Sequence, residues 1–453
     1  MKKLFSQKLI DLAEILPFSL YAVGGVVRDF LIDGSLATDI DICSPCSYEE
    51  VERVANSVGI KVVSTLKRTG TAVLYDGERS YEFTSFRKDV YSDGGFHTPD
   101  LTVPTTDIIE DALRRDFKCN AVYYDIKRGE FVDPIGGVDD IKNKRLSAVK
   151  DANEVFSHDG LRLLRLARFS GELNFTIDSK TLKGAKENCD KIKDISKERI
   201  YAELNKILVS DNKHPFSDKK GHYNGLKVLE EIGVLEIILP ELYLGKGMKQ
   251  RSDYHNYDVL EHSLRATLYA EPSLRLYALL HDIGKPFTFK RDGNFYAHAK
   301  EGEEIVASVL RRLKAPNEVI KNAKFLTRYH MLQTDEMREG KLRLFIAENF
   351  YMIDKLIGIK RADFMALKDN PVPNDYLKRL ISLRDAMLFD GTPLTLKGLN
   401  ITAKELEEIG VNKVELGKTL KELRVYCILN PKRNEREKLI KKVVFALKKP
   451  KND

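Results

Sequence analysis

Cysteine is scarce. Five residues (Cys43, Cys46, Cys119, Cys189 and Cys427) are scattered over 453 positions, too few for a disulfide scaffold, and a reducing compartment is expected. Cys43 and Cys46 form a lone C-x-x-C with no second pair or nearby histidine, so they read as buried or incidental thiols rather than zinc ligands. Long hydrophobic runs are also missing. No stretch of about 18 uncharged apolar residues occurs, and Asp11 and Glu14 interrupt the segment where a signal peptide would be apolar. A cytoplasmic chain without membrane contact is expected. Nor is one sign of charge in great excess: 75 Lys plus Arg against 68 Asp plus Glu leave +7, which permits a polyanionic partner such as RNA without requiring one. Against these absences stand 43% hydrophobic and 32% charged residues, ordinary for a globular protein and incompatible with disordered or fibrous classes. The length suits two to four domains of ~100 to 200 residues each.

The first 130 residues alternate helix and strand patterns. A helix is expected at about 5 to 15 and another at GVVRDFLI, with an apolar run at LYAV between them and strands at DIDIC, KVVST, TAVLY and YEFTSF. From about Ser157 the periodicity turns helical and stays so. The expected architecture is an α/β head followed by a long all-α body. Loops at DPIGG, NKHPFSDKKGHYNG and KDNPVPND divide the chain into 1–132, 133–211, 212–368 and 369–453. The basic run KKVVFALKKPKND reads as a solvated helix end, with RNA contact as the alternative.

In YAVGGVVRDFLIDGSLATDIDIC, Gly24 and Gly25 follow an apolar run and open a helix, where backbone amides can meet phosphate oxygens. Asp39 and Asp41 alternate with Ile40 and Ile42. Strand period two puts both carboxylates on one face and both isoleucines in the core. Carboxylates about 7 Å apart on one strand face can share divalent cations for in-line phosphoryl transfer. Glu82 of YEFTSF is a plausible third acid on a neighbouring strand. The bland alternative is a pair of solvated turn acids.

The order Gly-Gly, spacer, Asp-x-Asp resembles the nucleotidyltransferase superfamily signature. EDALRRDFKCNAVYYD resembles RRDF-x-x-NA, DPIGGVDDIKNKRLSAV resembles DP-x-GG-x-x-D, and HDGLRLLRLARFSGEL resembles ED-x-x-R-x-LR-x-x-RF. Together they are similar to the class II tRNA nucleotidyltransferases, which include CCA-adding enzymes and bacterial poly(A) polymerases. The resemblance implies a polymerase β-like nucleotidyltransferase head at 1–132, a base-recognition neck at 133–211, and a tRNA-binding tail at 369–453. It implies Mg²⁺ at Asp39 and Asp41 with Glu82 completing the catalytic set. Nucleotide contacts are implied for Gly24, Gly25, Arg28, Arg115, Asp116, Asn120, Asp159, Arg162, Arg165 and Arg168, with tRNA, ATP and CTP as partners.

A polymerase without a template must select C and A with side chains. Asp159 and Arg162, spaced i, i+3, are expected on one helix face, the carboxylate accepting from an exocyclic amine and the guanidinium donating to the ring. Arg165 and Arg168 continue toward the triphosphate. The alternative for the spaced arginines is an RNA-facing or solvated side. The sequence departs from the family pattern in three places: His158 for the usual Glu, Gly160 for the common Pro, and the pair Lys118-Cys119 for Thr and an aliphatic residue. The loop YSDGGFHTPD lacks the paired basic residues often found there, but the span between Arg87 and Arg114 is not shortened, which argues for full CCA addition, and Asn120-Ala121 resembles the CCA-adding version more than the poly(A) one.

Five of the nine histidines (His255, His262, His281, His298 and His330) fall between positions 255 and 330. In YALLHDIGKP a helical run ends in His281-Asp282, and His262 and Asp363 could complete a metal site from other helices. The order H, HD, D resembles the HD phosphohydrolase superfamily and implies a phosphohydrolase body at 212–368, holding Mg, Mn, Ni or Co and repairing tRNA 3′ ends. His298 is a candidate substrate or second-metal residue. The leading expectation is therefore CCA addition with HD phosphohydrolase activity. Competing readings are poly(A), CC-only or A-only addition, and an HD hydrolase whose head merely binds RNA. Oligomeric state is left open.

Overall fold

The structure, a computed structural model, describes residues 1–35, 39–66, 70–90, 101–214, 217–250, 256–369, 371–373 and 375–447. The loop YSDGGFHTPD at 91–100 and His255 lie outside the described residues. The described chain forms two compact units, residues 1–243 with 312–315 and residues 244–311 with 316–453.

The first unit is built on a seven-stranded mixed sheet. Its strands are β1 (Tyr21–Val23), β2 (Ile40–Ser44), β3 (Lys61–Leu66), β4 (Thr71–Tyr75) and β5 (Ser80–Ser85). A separate hairpin of β6 (Arg87–Val90) and β7 (Leu101–Pro104) follows, then β8 (Tyr123–Asp125) and β9 (Glu130–Val132) rejoin the sheet in the order β3-β4-β5-β2-β1-β8-β9. All four strands expected from the sequence are present and the apolar run LYAV supplies β1, whereas β8, β9 and the hairpin were not anticipated. β2 and β5 run parallel with Asp41 opposite Glu82, and β1 pairs antiparallel with β2 so that Val23 faces Asp41. Alternation explains the register: Ile40, Ile42, Tyr81 and Phe83 are buried, while Asp41 and Glu82 project from the other face. Two helices near the N-terminus start on side-chain caps. Ser6 accepts from the Leu9 amide to open Gln7–Ile15, and Ser47 with Glu50 forms a capping box for Tyr48–Ser57.

After the sheet come helices Ala152–His158, Leu161–Leu173, Ser179–Glu187, Lys197–Leu208 and Gly221–Glu231. The second unit is helical throughout its described residues and includes Val259–Tyr269, Arg275–Leu280, Lys285–Asp292, Asn317–Tyr329 and Phe350–Lys368. Toward the C-terminus it carries two further apolar clusters, one around Leu342, Ile353 and Leu380, the other around Leu406, Cys427 and Leu439. No described helix is long and apolar enough to cross a membrane. All five cysteines are free.

Candidate functional site

At the end of β1 the backbone of Gly24 takes φ +79°, ψ −140°, and a Cβ built there would stand 3.3 Å from Asp41 Oδ2. The positive φ calls for glycine, and a side chain would also press on the Asp41 carboxylate. The helix Gly25–Asp33 starts immediately after it. Asp39 precedes β2 by one residue, Asp41 lies within it, and Glu82 is the cross-strand neighbour of Asp41. Three acids thus gather at one edge of a cavity of about 730 Å³. Every residue of the head and neck assigned from the sequence to nucleotide or catalytic metal lines this cavity except Glu82, which stands beside Asp41 on the next strand.

The carboxyl of Asp41 is raised above its usual range, first by its removal from bulk water, then by Glu82 and Asp39, against the opposing pull of Arg115 and Arg165. A concentration of negative charge that resists ionisation is a suitable seat for a divalent cation. The arginines are already arranged by neighbours. Arg28 donates to Asp29 at 2.8 Å and to Asn120 Oδ1 at 2.7 Å. Asn120 in turn donates to Asp116 at 3.0 Å, and Asp116 Oδ2 accepts from Arg165 Nε at 2.7 Å. Burial opposes ionisation of Asp116, but Arg165, Asn120 and Arg162 outweigh it and hold the carboxyl well below the usual range. Arg115 and Arg114 both pair with the fully buried Asp111, and Arg168 pairs with Glu203 at 3.0 Å.

One expectation is corrected. Asp159 and Arg162 do not share a helix face, because the helix ending at His158 and the one starting at Leu161 are separate. Asp159 has extended backbone between them, and its Oδ1 accepts from the Leu161 amide at 3.0 Å. Arg162 is buried, donating to the carbonyls of Val155 and Arg114. Gly160 beside the break keeps helical backbone, and a Cβ there would stand 2.2 Å from the Lys191 carbonyl oxygen. A close backbone crossing therefore occupies the space that the family's common proline would need. His158 lines a smaller cavity with Lys88, Lys150, Arg114 and Arg162. Burial, then Lys150 and Arg162, push its imidazole below the ordinary value.

Sequence reasoning missed Asp29, Arg114, Phe169, Glu172, Lys213 and His214 in the main cavity. Arg114 and Phe169 lie inside quoted motifs and could have been found there. Lys213 and His214 arrive from a loop with no local signal.

In the second unit, His262, His281, Asp282 and Asp363 converge, and Asp282 forms a second group with His298 and His330. His330 was not anticipated as a ligand. The Nδ1 atoms of His262, His281, His298 and His330 sit 3.3, 2.7, 2.7 and 2.8 Å from the carbonyls of Ala366, Ala278, Phe295 and Thr327. A carbonyl only accepts, so each Nδ1 carries the hydrogen and each neutral ring turns a lone pair outward at Nε2. Those lone pairs meet other acceptors. His262 Nε2 is 3.0 Å from Asp363 Oδ1, His281 Nε2 is 3.2 Å from Asp282 Oδ2, and His298 Nε2 is 3.2 Å from His330 Nε2. Asp282 Oδ1 faces this last pair at 3.2 and 3.4 Å. Such an arrangement demands positive charge. Burial alone would lower the His281 pKa, yet Asp282 and Asp363 push it up to about 10; a proton or a metal ion meets the same need. Lys285 Nζ adds one cation at 2.6 Å from Asp282 Oδ2. A cavity of about 600 Å³ opens here, with Phe295, Phe364 and Tyr376 among its walls.

Residues 20–147 match the family model described as the Poly A polymerase head domain. Residues 174–244 match a probable RNA and SrmB-binding site of polymerase A, and 259–361 match the HD domain. An A-adding tRNA nucleotidyltransferase from Deinococcus radiodurans is 32% identical over 360 residues, covering 75% of each chain. A CC-adding tRNA nucleotidyltransferase from Thermus thermophilus is 30% identical over 370 residues, covering 78% of this chain and 77% of its own. Among solved structures, the Bacillus stearothermophilus CCA-adding enzyme in complex with CTP superposes with a TM-score of 0.67 over 99% of this chain and 98% of that one, at 20% identity.

Proposed function

The chain belongs to the tRNA nucleotidyltransferase family, and from that premise we propose that it adds C, C and A to the tRNA 3′ end from CTP and ATP without a nucleic-acid template. The carrying observation is a single cavity that holds Asp39 and Asp41 together with Asp159, Arg162, Arg165 and Arg168. In this reading the 3′ hydroxyl attacks the α-phosphate in line and pyrophosphate leaves. Asp39, Asp41 and Glu82 seat divalent cation, and Mg²⁺ bound there supplies activation of the hydroxyl and neutralisation of the triphosphate. Gly24, Gly25, Arg28, Arg115, Arg165 and Arg168 bind and orient the triphosphate, while Asp116 and Asn120 hold Arg28 and Arg165 in place. Asp159 and Arg162 select C and A over U and G. The working segments are the catalytic head 1–132, the base-recognition neck 133–211, the HD body 212–368 and a tRNA-binding tail 369–453.

The A-adding and CC-adding relatives align over three quarters of the chain, so the extent of addition is the point to test. Transcripts lacking all three terminal nucleotides, lacking only the last, or complete would be given CTP and ATP singly and together, and their ends sequenced. Full CCA on the first transcript supports the proposal. Stopping after CC, extending only the second transcript, or building an A tail replaces it with the corresponding partial activity.

A second activity is favoured by the converging lone pairs of the helical unit. We infer that His262, His281, Asp282 and Asp363 hold one divalent cation and that Asp282, His298 and His330 hold another, Asp282 being shared. Mg, Mn, Ni and Co are the candidate metals. The site would hydrolyse phosphomonoesters or 2′,3′-cyclic phosphates left on damaged tRNA ends. Metal analysis after dialysis against each ion tests it: two equivalents are expected, falling to one in His330→Ala, and no binding would end the inference.

A further inference from the structure

An aromatic ring without polar atoms lies in the most charged cavity of the head. Phe169 is 5% exposed and lines the same space as Asp39 and Asp41. Three guanidinium carbons surround its ring: Arg168 at 4.4 Å from the centroid, Arg28 at 5.1 Å and Arg165 at 5.2 Å. They come from two helices, Arg28 from the one after Gly24 and the others from Leu161–Leu173. Phe117 meets the ring edge to face at 5.9 Å and 85°, which fixes its plane. Each guanidinium also keeps a carboxylate, Asp29, Asp116 or Glu203. Arg168 also meets Glu172 at 3.5 Å, but none of these carboxylates pairs with all three guanidiniums. The ring does, because its faces carry the negative end of the quadrupole and need no desolvated counter-charge that would compete with an incoming anion.

We propose that Phe169 is a positioning residue for the incoming triphosphate, gathering Arg28, Arg165 and Arg168 into a preformed anion-binding array. This rests on the assignment of the cavity to the nucleotide. The array reads phosphate, not base, so its loss weakens CTP and ATP alike and acts on binding in the ground and transition states equally. KM for both nucleotides should rise while kcat and the choice of base stay as they are. A leucine fills similar space but has no quadrupole.

Steady-state kinetics on a tRNA acceptor would compare wild type, Phe169→Leu, Phe169→Tyr, and the protein carrying mono-, di- or trifluorophenylalanine at position 169. Loss of the three ring contacts should raise KM roughly tenfold in the leucine variant. KM should climb stepwise with fluorination, which changes the quadrupole more than the size, and the tyrosine variant should stay within about twofold because its ring is kept. A flat fluorine series, a change for only one of CTP and ATP, or a fall in kcat at constant KM overturns the role. Arg165→Ala measured alongside separates the two levels: a raised KM there with a flat fluorine series removes only Phe169, whereas an unchanged KM removes the nucleotide-site reading itself.

Discussion

Replacing Asp41 by Asn should stabilise the protein while abolishing nucleotide addition. Asp41 lies directly across from Glu82 and beside Asp39, and its carboxyl is raised by removal from bulk water and by those two acids. Two like charges about 6 Å apart cost ~3 kcal/mol at an effective dielectric of 20, and solvent at the cavity mouth reduces this to about 1 kcal/mol. The sign follows from linkage. A carboxyl whose folded pKa exceeds its unfolded value destabilises the fold above that folded pKa and is neutral below the unfolded value, near 3.9. The gain from Asp41→Asn should therefore be about 1 kcal/mol at pH 7.5 in EDTA and fade toward pH 4. Divalent metal reverses the order: at a hundredfold excess over its dissociation constant it adds about 2.7 kcal/mol to wild type and much less to the variant. Urea titrations with EDTA or Mg²⁺, alongside nucleotide incorporation, provide the measurement. An Asn variant destabilised by more than 1 kcal/mol in EDTA, or stabilised by Mg²⁺ as much as wild type, would refute the acid cluster as a metal seat. On the opposite face, Ile42→Ala should cost ~2 to 5 kcal/mol and leave the folded fraction active.

Asp116→Ala leaves the Arg165 guanidinium without the carboxylate it meets at 2.6 Å; a loss of ~2 to 4 kcal/mol in urea is expected, with a higher KM for both nucleotides. Gly160→Ala drives a methyl into the Lys191 carbonyl, so the midpoint of denaturation should fall by ~1 to 3 kcal/mol and base discrimination should loosen as Asp159 shifts; wild-type fidelity and stability would disprove the crossing as its support. Burial opposes ionisation of Asp76, but Ser6, the Arg79 and Glu78 amides and the Tyr81 hydroxyl lower its pKa to about 2. Its contribution is complete above the unfolded pKa and is lost as pH falls toward 2, so Asp76→Asn should flatten the stability profile across that window.

The legible part of the fold was the part whose burial alternates. Ile40 and Ile42 against Asp39 and Asp41, or Tyr81 and Phe83 against Glu82, announce a strand with one core face. Tyr123, Tyr124 and Asp125 of β8 are all buried, and three residues without alternation carry no period to read. The helix break at Asp159 was hidden for a similar reason. Asp159 and Gly160 continue a helical pattern on either side, and nothing in their spacing announces the extended Asp159 backbone or the Lys191 carbonyl that approaches Gly160. Gly160 was visible as an oddity, but its cause is tertiary.

The same division runs through the candidate sites. Asp39, Asp41, Asp159, Arg162 and His281-Asp282 stand in short patterns whose spacing has meaning along the chain; the fold brings the first four to one cavity and the last two into one cluster of possible metal ligands. What spacing cannot express is which polar atom is already committed. Asp116 and Asn120 look like nucleotide contacts in sequence, yet their oxygens and amide are engaged by Arg165, Arg28 and each other. His330 looks like any core histidine until its Nδ1 hydrogen is traced to Thr327 and its Nε2 lone pair is found facing that of His298. A residue type at a given distance along the chain therefore indicates which chemistry is possible, while the direction of each hydrogen bond decides which of those groups is free to perform it.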